Sequence, residues 1–170
     1  PDVLYRPYRL ETPHGDLAIV FRDHRLSDLI GFTYGAMEPA KAATDLVGHL
    51  ESIAHAYQAR YPDASEEAPW LVTIALDGEN CWETYEEDGN LFLKEVYERI
   101  SEDSTLNVCT VSEYLEKNPP TTKLNNIHSG SWINADYHIW IGDPHKNLAW
   151  DLLGDTRNFL VQQLKQNEYS

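Results

Sequence analysis

The apolar run Trp70-Leu71-Val72-Thr73-Ile74-Ala75-Leu76 ends without transition in Asp77-Gly78-Glu79-Asn80-Cys81-Trp82. A short stretch apolar at consecutive positions reads as a strand covered on both faces, which belongs in the parallel sheet of an α/β fold. In such sheets ligands sit outside the carboxyl ends of the strands. Two carboxylates, an amide and an indole at that exit therefore read as the edge of an active site.

The rest of the chain supports the same class. Leu17 to Phe21 is apolar, follows the turn signal Pro13-His14-Gly15-Asp16 and leaves into Arg22-Asp23-His24, which predicts a buried strand with a charged exit. Apolar positions Ala43, Leu46, Val47, Leu50, Ile53, Ala54 and Tyr57 recur at helical spacing between Pro39 and Tyr61, with Pro39 suited to the first turn. Asn90 is placed to cap a second helix whose face carries Phe92, Leu93, Val96, Tyr97 and Ile100, and Leu106 to Val111 reads as a third strand. Strands alternating with helices imply right-handed βα units whose carboxyl ends share one rim. Arg22, Asp23 and His24, then Asp77 and Glu79, then Ser112 and Glu113 fall on it.

Pro119-Pro120 breaks the alternation. A polar, aromatic loop runs to Asp143-Pro144, where a last helix starts with Asp143 as cap and Leu148, Ala149, Leu152, Leu153, Thr156, Leu160 and Leu164 as an expected buried stripe. This divides the chain into residues 1–120, the βα units, and 121–170, a loop and helix completing the cleft.

Composition narrows the partners. Thirteen basic against 28 acidic residues leave a net charge of -15, which repels nucleic acid and anionic membrane surfaces. No window approaches the roughly 18 apolar residues of a membrane span. Cys81 and Cys109 read as buried free thiols in a reducing, cytoplasmic setting. The start at Pro1-Asp2-Val3 has neither initiator Met nor signal peptide, so the chain is expected to begin within a longer protein.

Asp77 and Glu79 suit a general acid with a supporting carboxylate; Asp-Gly is equally a common turn dipeptide. Trp132, in the polar loop His128-Ser129-Gly130-Ser131-Trp132-Ile133-Asn134, offers a flat face to a sugar ring or packs beneath the loop. Trp140 and Trp150 adjoin apolar residues and read as core. Asp23, His24, Asp77 and Glu113 would make an oxygen-rich metal site, although their spacing matches no defined metal motif. No cofactor is called for.

Three stretches resemble a known family. Val72 to Glu83 resembles the fourth signature region of glycoside hydrolase family 57, and Gly130-Ser131-Trp132-Ile133-Asn134-Ala135-Asp136 continuing to Trp140-Ile141-Gly142-Asp143 resembles its fifth. Phe21-Arg22-Asp23-His24-Arg25-Leu26-Ser27-Asp28-Leu29-Ile30-Gly31-Phe32 resembles the segment between the third and fourth regions in the amylase and amylopullulanase-like branch. The resemblance implies part of an incomplete seven-stranded (β/α) barrel with parallel strands, followed by a helical segment, acting on α-glucans such as starch or glycogen by a retaining mechanism.

In that family Asp77 matches the general acid/base. Glu79 and Asn80 would orient it, Trp82 and Trp132 would line sugar subsites, and Arg22, Asp23 and His24 would border the substrate. The family's nucleophile, a Glu in its third region, lies upstream of every stretch matched here, and the early His-Gln-Pro signature has no counterpart. The expected partner is therefore the amino-terminal part of the same barrel, and the isolated chain is expected to be nearly inactive. A carbohydrate-binding module using the same tryptophans without catalysis is the alternative.

Overall fold

The computed structural model describes residues 3–63, 68–79 and 82–167, which form two compact units, Pro1–Asn125 and Asn126–Ser170. The first is a mixed α/β unit. Its chain order is β1 (Tyr8–Thr12), β2 (Gly15–Ile19), α1 (His24–Asp28), α2 (Pro39–Arg60), α3 (Asn90–Glu102), α4 (Val111–Lys117) and β3 (Thr122–Leu124). A π turn, Leu29–Thr33, and a 3-10 turn, Tyr34–Ala36, connect α1 to α2. The second unit holds α5 (Pro144–Asn167).

The three-stranded sheet has the order β2-β1-β3, with β1 antiparallel to β2 and parallel to β3. The expected buried parallel strand at Leu17–Phe21 is thus replaced by the edge strand of a hairpin. Thr12 pairs with Gly15 across a two-residue loop, and Gly15 takes φ +122°, a conformation that suits glycine. As an edge strand β2 is covered poorly, so Leu17 and Phe21 stay exposed.

The parallel relation foreseen for the two apolar runs survives as a single bridge, Arg22 to Thr73. Asp23 donates its backbone N–H to the Thr73 carbonyl at 2.7 Å, and Leu71 donates to Tyr5 O at 2.9 Å. Residues 71–76 are extended and largely half-buried but carry no longer ladder. The third expected strand, Leu106 to Val111, does not form either. Asp103 Oδ1 accepts from Thr105 N and Leu106 N, turning the chain, and Val108 is 63% exposed. Cys109, expected to be buried, is an exposed free thiol, and Cys81 lies outside the described residues.

The helices follow the sequence more closely. Glu38 caps α2 by accepting from Ala40 N at 3.0 Å, and Pro39 occupies the first turn, where its missing N–H costs nothing. Ala42, Ala43, Leu46 and Val47 form the buried face of α2. All but Val47 belong to the core cluster that also holds Phe92 and Val96 of α3 and the side chains of Leu26, Ile30, Tyr34 and Tyr85. The cap of α3 is Gly89, in a left-handed conformation at φ +81°, rather than Asn90, which is already helical. Thr110 and Glu113 form a reciprocal capping box on α4.

In the second unit Asp143 caps α5 as foreseen, accepting from His145 N at 2.9 Å, with Pro144 as the first helical residue. The stripe expected to be buried is not: Leu148, Leu152, Leu153, Leu160 and Leu164 are all exposed. Trp140 and Trp150, read as core, are exposed too, joined by a bond from Trp150 Nε1 to the Trp140 carbonyl. One helix with a short loop has no facing layer in its own unit on which to bury such a stripe.

Tyrosine hydroxyls fasten the first unit. Tyr5 donates to Asp23 at 2.6 Å, Tyr34 to Asp45 at 2.7 Å, Tyr85 to the Ile30 carbonyl at 2.5 Å and Tyr114 to the Pro69 carbonyl at 2.6 Å. Burial, then donation to a carboxylate, raises the phenols of Tyr5 and Tyr34 well above the ordinary value. An unfolded phenol ionises near about 10, so the stabilisation from these two is complete below that pH and is lost as pH rises above it. In an alkaline titration followed by phenolate absorbance, Tyr5→Phe and Tyr34→Phe are each expected to remove a late-titrating tyrosine, not one from the main transition.

Asp23→Ala removes the α1 cap, about 1 kcal/mol, and leaves the Tyr5 hydroxyl buried without its acceptor, about 1–3 kcal/mol. A loss of about 2–4 kcal/mol in denaturant unfolding is expected. A change below about 0.5 kcal/mol would show that this joint is not structural.

Candidate active-site edge

The exits of the two extended segments lie side by side because Arg22 bridges Thr73. Arg22 extends this contact: its Nη1 donates to the Ala75 carbonyl at 3.4 Å, and its Nη2 stands 3.8 Å from Asp28 Oδ1. His24 Nδ1 lies 3.1 Å from Asp28 Oδ2, one helical turn away. Ser27 Oγ accepts from Ala75 N at 3.3 Å. Arg22, His24 and Asp28 thus gather beside the backbone that, two residues later, becomes Asp77.

Asp77, Gly78 and Glu79 form an exposed turn at this exit. An exposed carboxyl held at the end of an anchored extended segment can reach a bound ligand and exchange a proton with it. Asn80, expected to help orient Asp77, lies outside the described residues. Asp23 sits in the same exit, but its carboxylate points into structure. It is 7% exposed, caps α1 through Leu26 N at 2.9 Å and receives the Tyr5 hydroxyl.

Trp82 is half-buried and packs on the core, 5.3 Å from Tyr85 and 6.4 Å from Phe92 between ring centroids. Gly89 makes room for it: a Cβ there would lie 2.7 Å from Trp82 Cε3. This anchors the chain just after the Asp77 turn, and a ligand would meet only the uncovered part of the indole. Trp132 belongs to the second unit and is 55% exposed. Its loop is closed by Ser131 N donating to the Asp136 carbonyl at 3.1 Å and by His128 Nε2 at 2.9 Å from the Ala135 carbonyl.

The four-residue metal constellation is not assembled. Among the described residues no three His, Cys, Asp or Glu side chains stand together as ligands. Glu113 is held in its capping box, where hydrogen bonds from the Thr110 backbone and hydroxyl lower its carboxyl below the ordinary value. Asp28 is the residue that reading the sequence for acids after strands passed over. Its signal was the i, i+4 spacing from His24, which puts both on one face of a helix.

Among the described residues no helix is long and apolar enough to cross a membrane. The sequence pattern of Glycosyl hydrolase family 57 matches residues 3–125, which take in Asp77 and the 21–32 segment but not the Trp132 loop. The chain is similar to the crystal structure of 4-alpha-glucanotransferase from Thermococcus litoralis, with a TM-score of 0.51 and 27% identity, covering 72% of this chain and 17% of that one. It therefore spans about a sixth of that enzyme's length. No curated protein matches it. With more than half of its residues inside the family pattern, the chain belongs to glycosyl hydrolase family 57.

Proposed function

We propose that this chain carries the acid/base side of the active site of a retaining α-glucan hydrolase or glucanotransferase, with Asp77 as the proton donor. The observation that carries this reading is the position of Asp77: an exposed carboxyl at the exit of the extended 71–76 segment, within the family match, beside the Arg22–His24–Asp28 group. Membership of the family and similarity to a glucanotransferase support an α-glucan as substrate. On this reading residues 20–23 and 71–76 are neighbouring staves of an incomplete parallel barrel, and Arg22, His24, Glu79, Asn80 and Trp82 border the sugar next to the scissile bond. Asp23 serves this border by holding the backbone between Arg22 and His24.

In the first step Asp77 gives its proton to the glycosidic oxygen while a second carboxylate attacks the anomeric carbon, breaking the glycosidic bond and forming a glycosyl ester. In the second, the Asp77 carboxylate takes a proton from water or from a sugar hydroxyl, whose oxygen displaces the enzyme carboxylate. Water gives hydrolysis and a sugar gives transfer, by the same two residues. The second carboxyl must lie about 5 Å from Asp77. Glu113 is committed to its helix cap, and Glu79 shares the Asp77 turn, so neither faces Asp77 across a substrate. In the order of the family's regions the nucleophile precedes the stretches found here.

A non-catalytic sugar-binding role has one observation in its favour, the exposed indole of Trp132 on a closed loop. Assay of the whole protein on maltooligosaccharides separates the two. Asp77→Asn is expected to lower kcat/KM by about 10²–10⁴-fold while leaving glucan binding intact, and the 170-residue chain alone is expected to show no turnover. Unchanged turnover in Asp77→Asn would leave Asp77 a turn residue.

A further inference from the structure

A cleft of about 270 Å³ in the first unit is lined by Tyr5, Asp23, Arg25, His49, Ser52 and Trp70, with Ile53 among its apolar surfaces. None of residues 75–79 lines it, so it is separate from the Asp77 turn. Two features mark it as more than a packing fault. The indole Nε1 of Trp70 is buried without a hydrogen-bond acceptor among the described residues, a state native proteins rarely leave unanswered. The polar lining also mixes roles: the Arg25 guanidinium donates, Asp23 keeps lone pairs beyond those taken by Tyr5 and Leu26 N, and Ser52, having given its proton to the Gly48 carbonyl, can accept.

That mixture selects the ligand's chemistry. An anion would meet Asp23 as well as Arg25, and a cation the reverse, whereas a neutral ring bearing several hydroxyls can both give and receive around its rim. The tryptophan and tyrosine rings, 5.5 Å apart, add the apolar surface that sugar rings use. Size sets the limit. The volume far exceeds the about 30 Å³ share of one water and lies just under the about 300 Å³ at which small-molecule sites begin. One sugar ring fits this description and a chain of rings does not.

We propose that this cleft is a secondary, non-catalytic site for a single terminal hexose, bound by the Trp70 indole N–H, Asp23 and Arg25. Its identification as glucose, from the end of an α-glucan, rests on the proposed function; the cleft's preference for a neutral polyol does not. A site of this kind would hold the end of a long substrate while another part is cleaved, lowering KM for polymers without altering turnover of short ones.

The test uses the whole protein carrying Asp77→Asn, so that no substrate is consumed, and counts glucose and maltose sites by titration calorimetry. Trp70→Phe removes the N–H and keeps an aromatic ring. Ala56→Leu, at an exposed α2 position lining the cleft, fills the space with a good helix former and stands in should the first variant fold poorly. Each is expected to weaken one glucose site at least tenfold. In the Asp77 protein each should also raise KM for a long glucan with kcat on a short maltooligosaccharide unchanged. If neither variant changes sugar binding while the parent turns over α-glucans, the cleft proposal is overturned and the Asp77 reading stands. If both lose a sugar site but the parent turns over no α-glucan, the cleft stands and the Asp77 reading falls.

Discussion

The first unit is organised around one buried carboxylate. Asp23 donates its N–H to Thr73 O, caps α1 with one carboxylate oxygen, receives the Tyr5 hydroxyl on the other, and offers its carbonyl to Ser27 N at 3.0 Å and Ser27 Oγ at 2.7 Å. A carboxylate taken out of water is costly unless hydrogen bonds replace its hydration, and here each of them comes from a different part of the chain. The amino-terminal segment, the first extended exit, the second extended segment and α1 are therefore fixed to one another through a single residue. Because the same residue sets the register of 20–23 against 71–76, it determines where the Asp77 turn begins.

The other end of that turn is held by aromatic packing. Trp82 lies against Tyr85 and Phe92, Tyr85 ties back to Ile30, and Phe92 belongs to the core that α2 and α3 share. Room for the indole comes from Gly89, and the two residues before it, Glu87 and Asp88, also take left-handed conformations at φ 49° and 53°. Non-glycine residues rarely adopt them. The turn is thus suspended between a polar joint and an apolar one, with its own side chains free for solvent and ligand. Exposed acids on a fixed backbone are what a proton-transfer site needs, since orientation is supplied by the frame and not by the acid.

How much of this was legible depended on how local the cause was. The bounds of α2, the Pro144 start of α5 and its Asp143 cap were readable because capping and 3.6-residue periodicity act within a few turns. The side-by-side exits of Arg22 and Asp77 were also readable, since alternation of elements implied them. The strands were not. Leu17–Ile19 pairs with Tyr8–Leu10, a partner whose mixed sequence gives little strand signal, and Leu106–Val111 has no partner among the described residues. An apolar run states that a segment wants burial without stating what will bury it. The same ambiguity undid the tryptophans: Trp82 was read for ligand and packs on the core edge, while Trp150 was read for core and is exposed. Asp23 shows the converse, an acid in a functional stretch whose visible work is structural.

The charge of the chain bears on what kind of recognition is open to it. A surface with a net charge of -15 can steer only cations over distances beyond about 8–10 Å, the range at which salt screens. A neutral polysaccharide feels none of this, so its binding has to come from short-range hydrogen bonds and ring contacts. Such contacts discriminate only when they close on the ligand from more than one side, because each is worth little against the water it replaces. The Arg22–His24–Asp28 group and the Asp77 turn present one such side. Retaining chemistry makes the same demand independently, since its two carboxyls must face each other across the bond. Recognition and catalysis thus both require a second wall opposite Asp77, and the residue that completes the reaction would stand on the surface that completes the binding cleft.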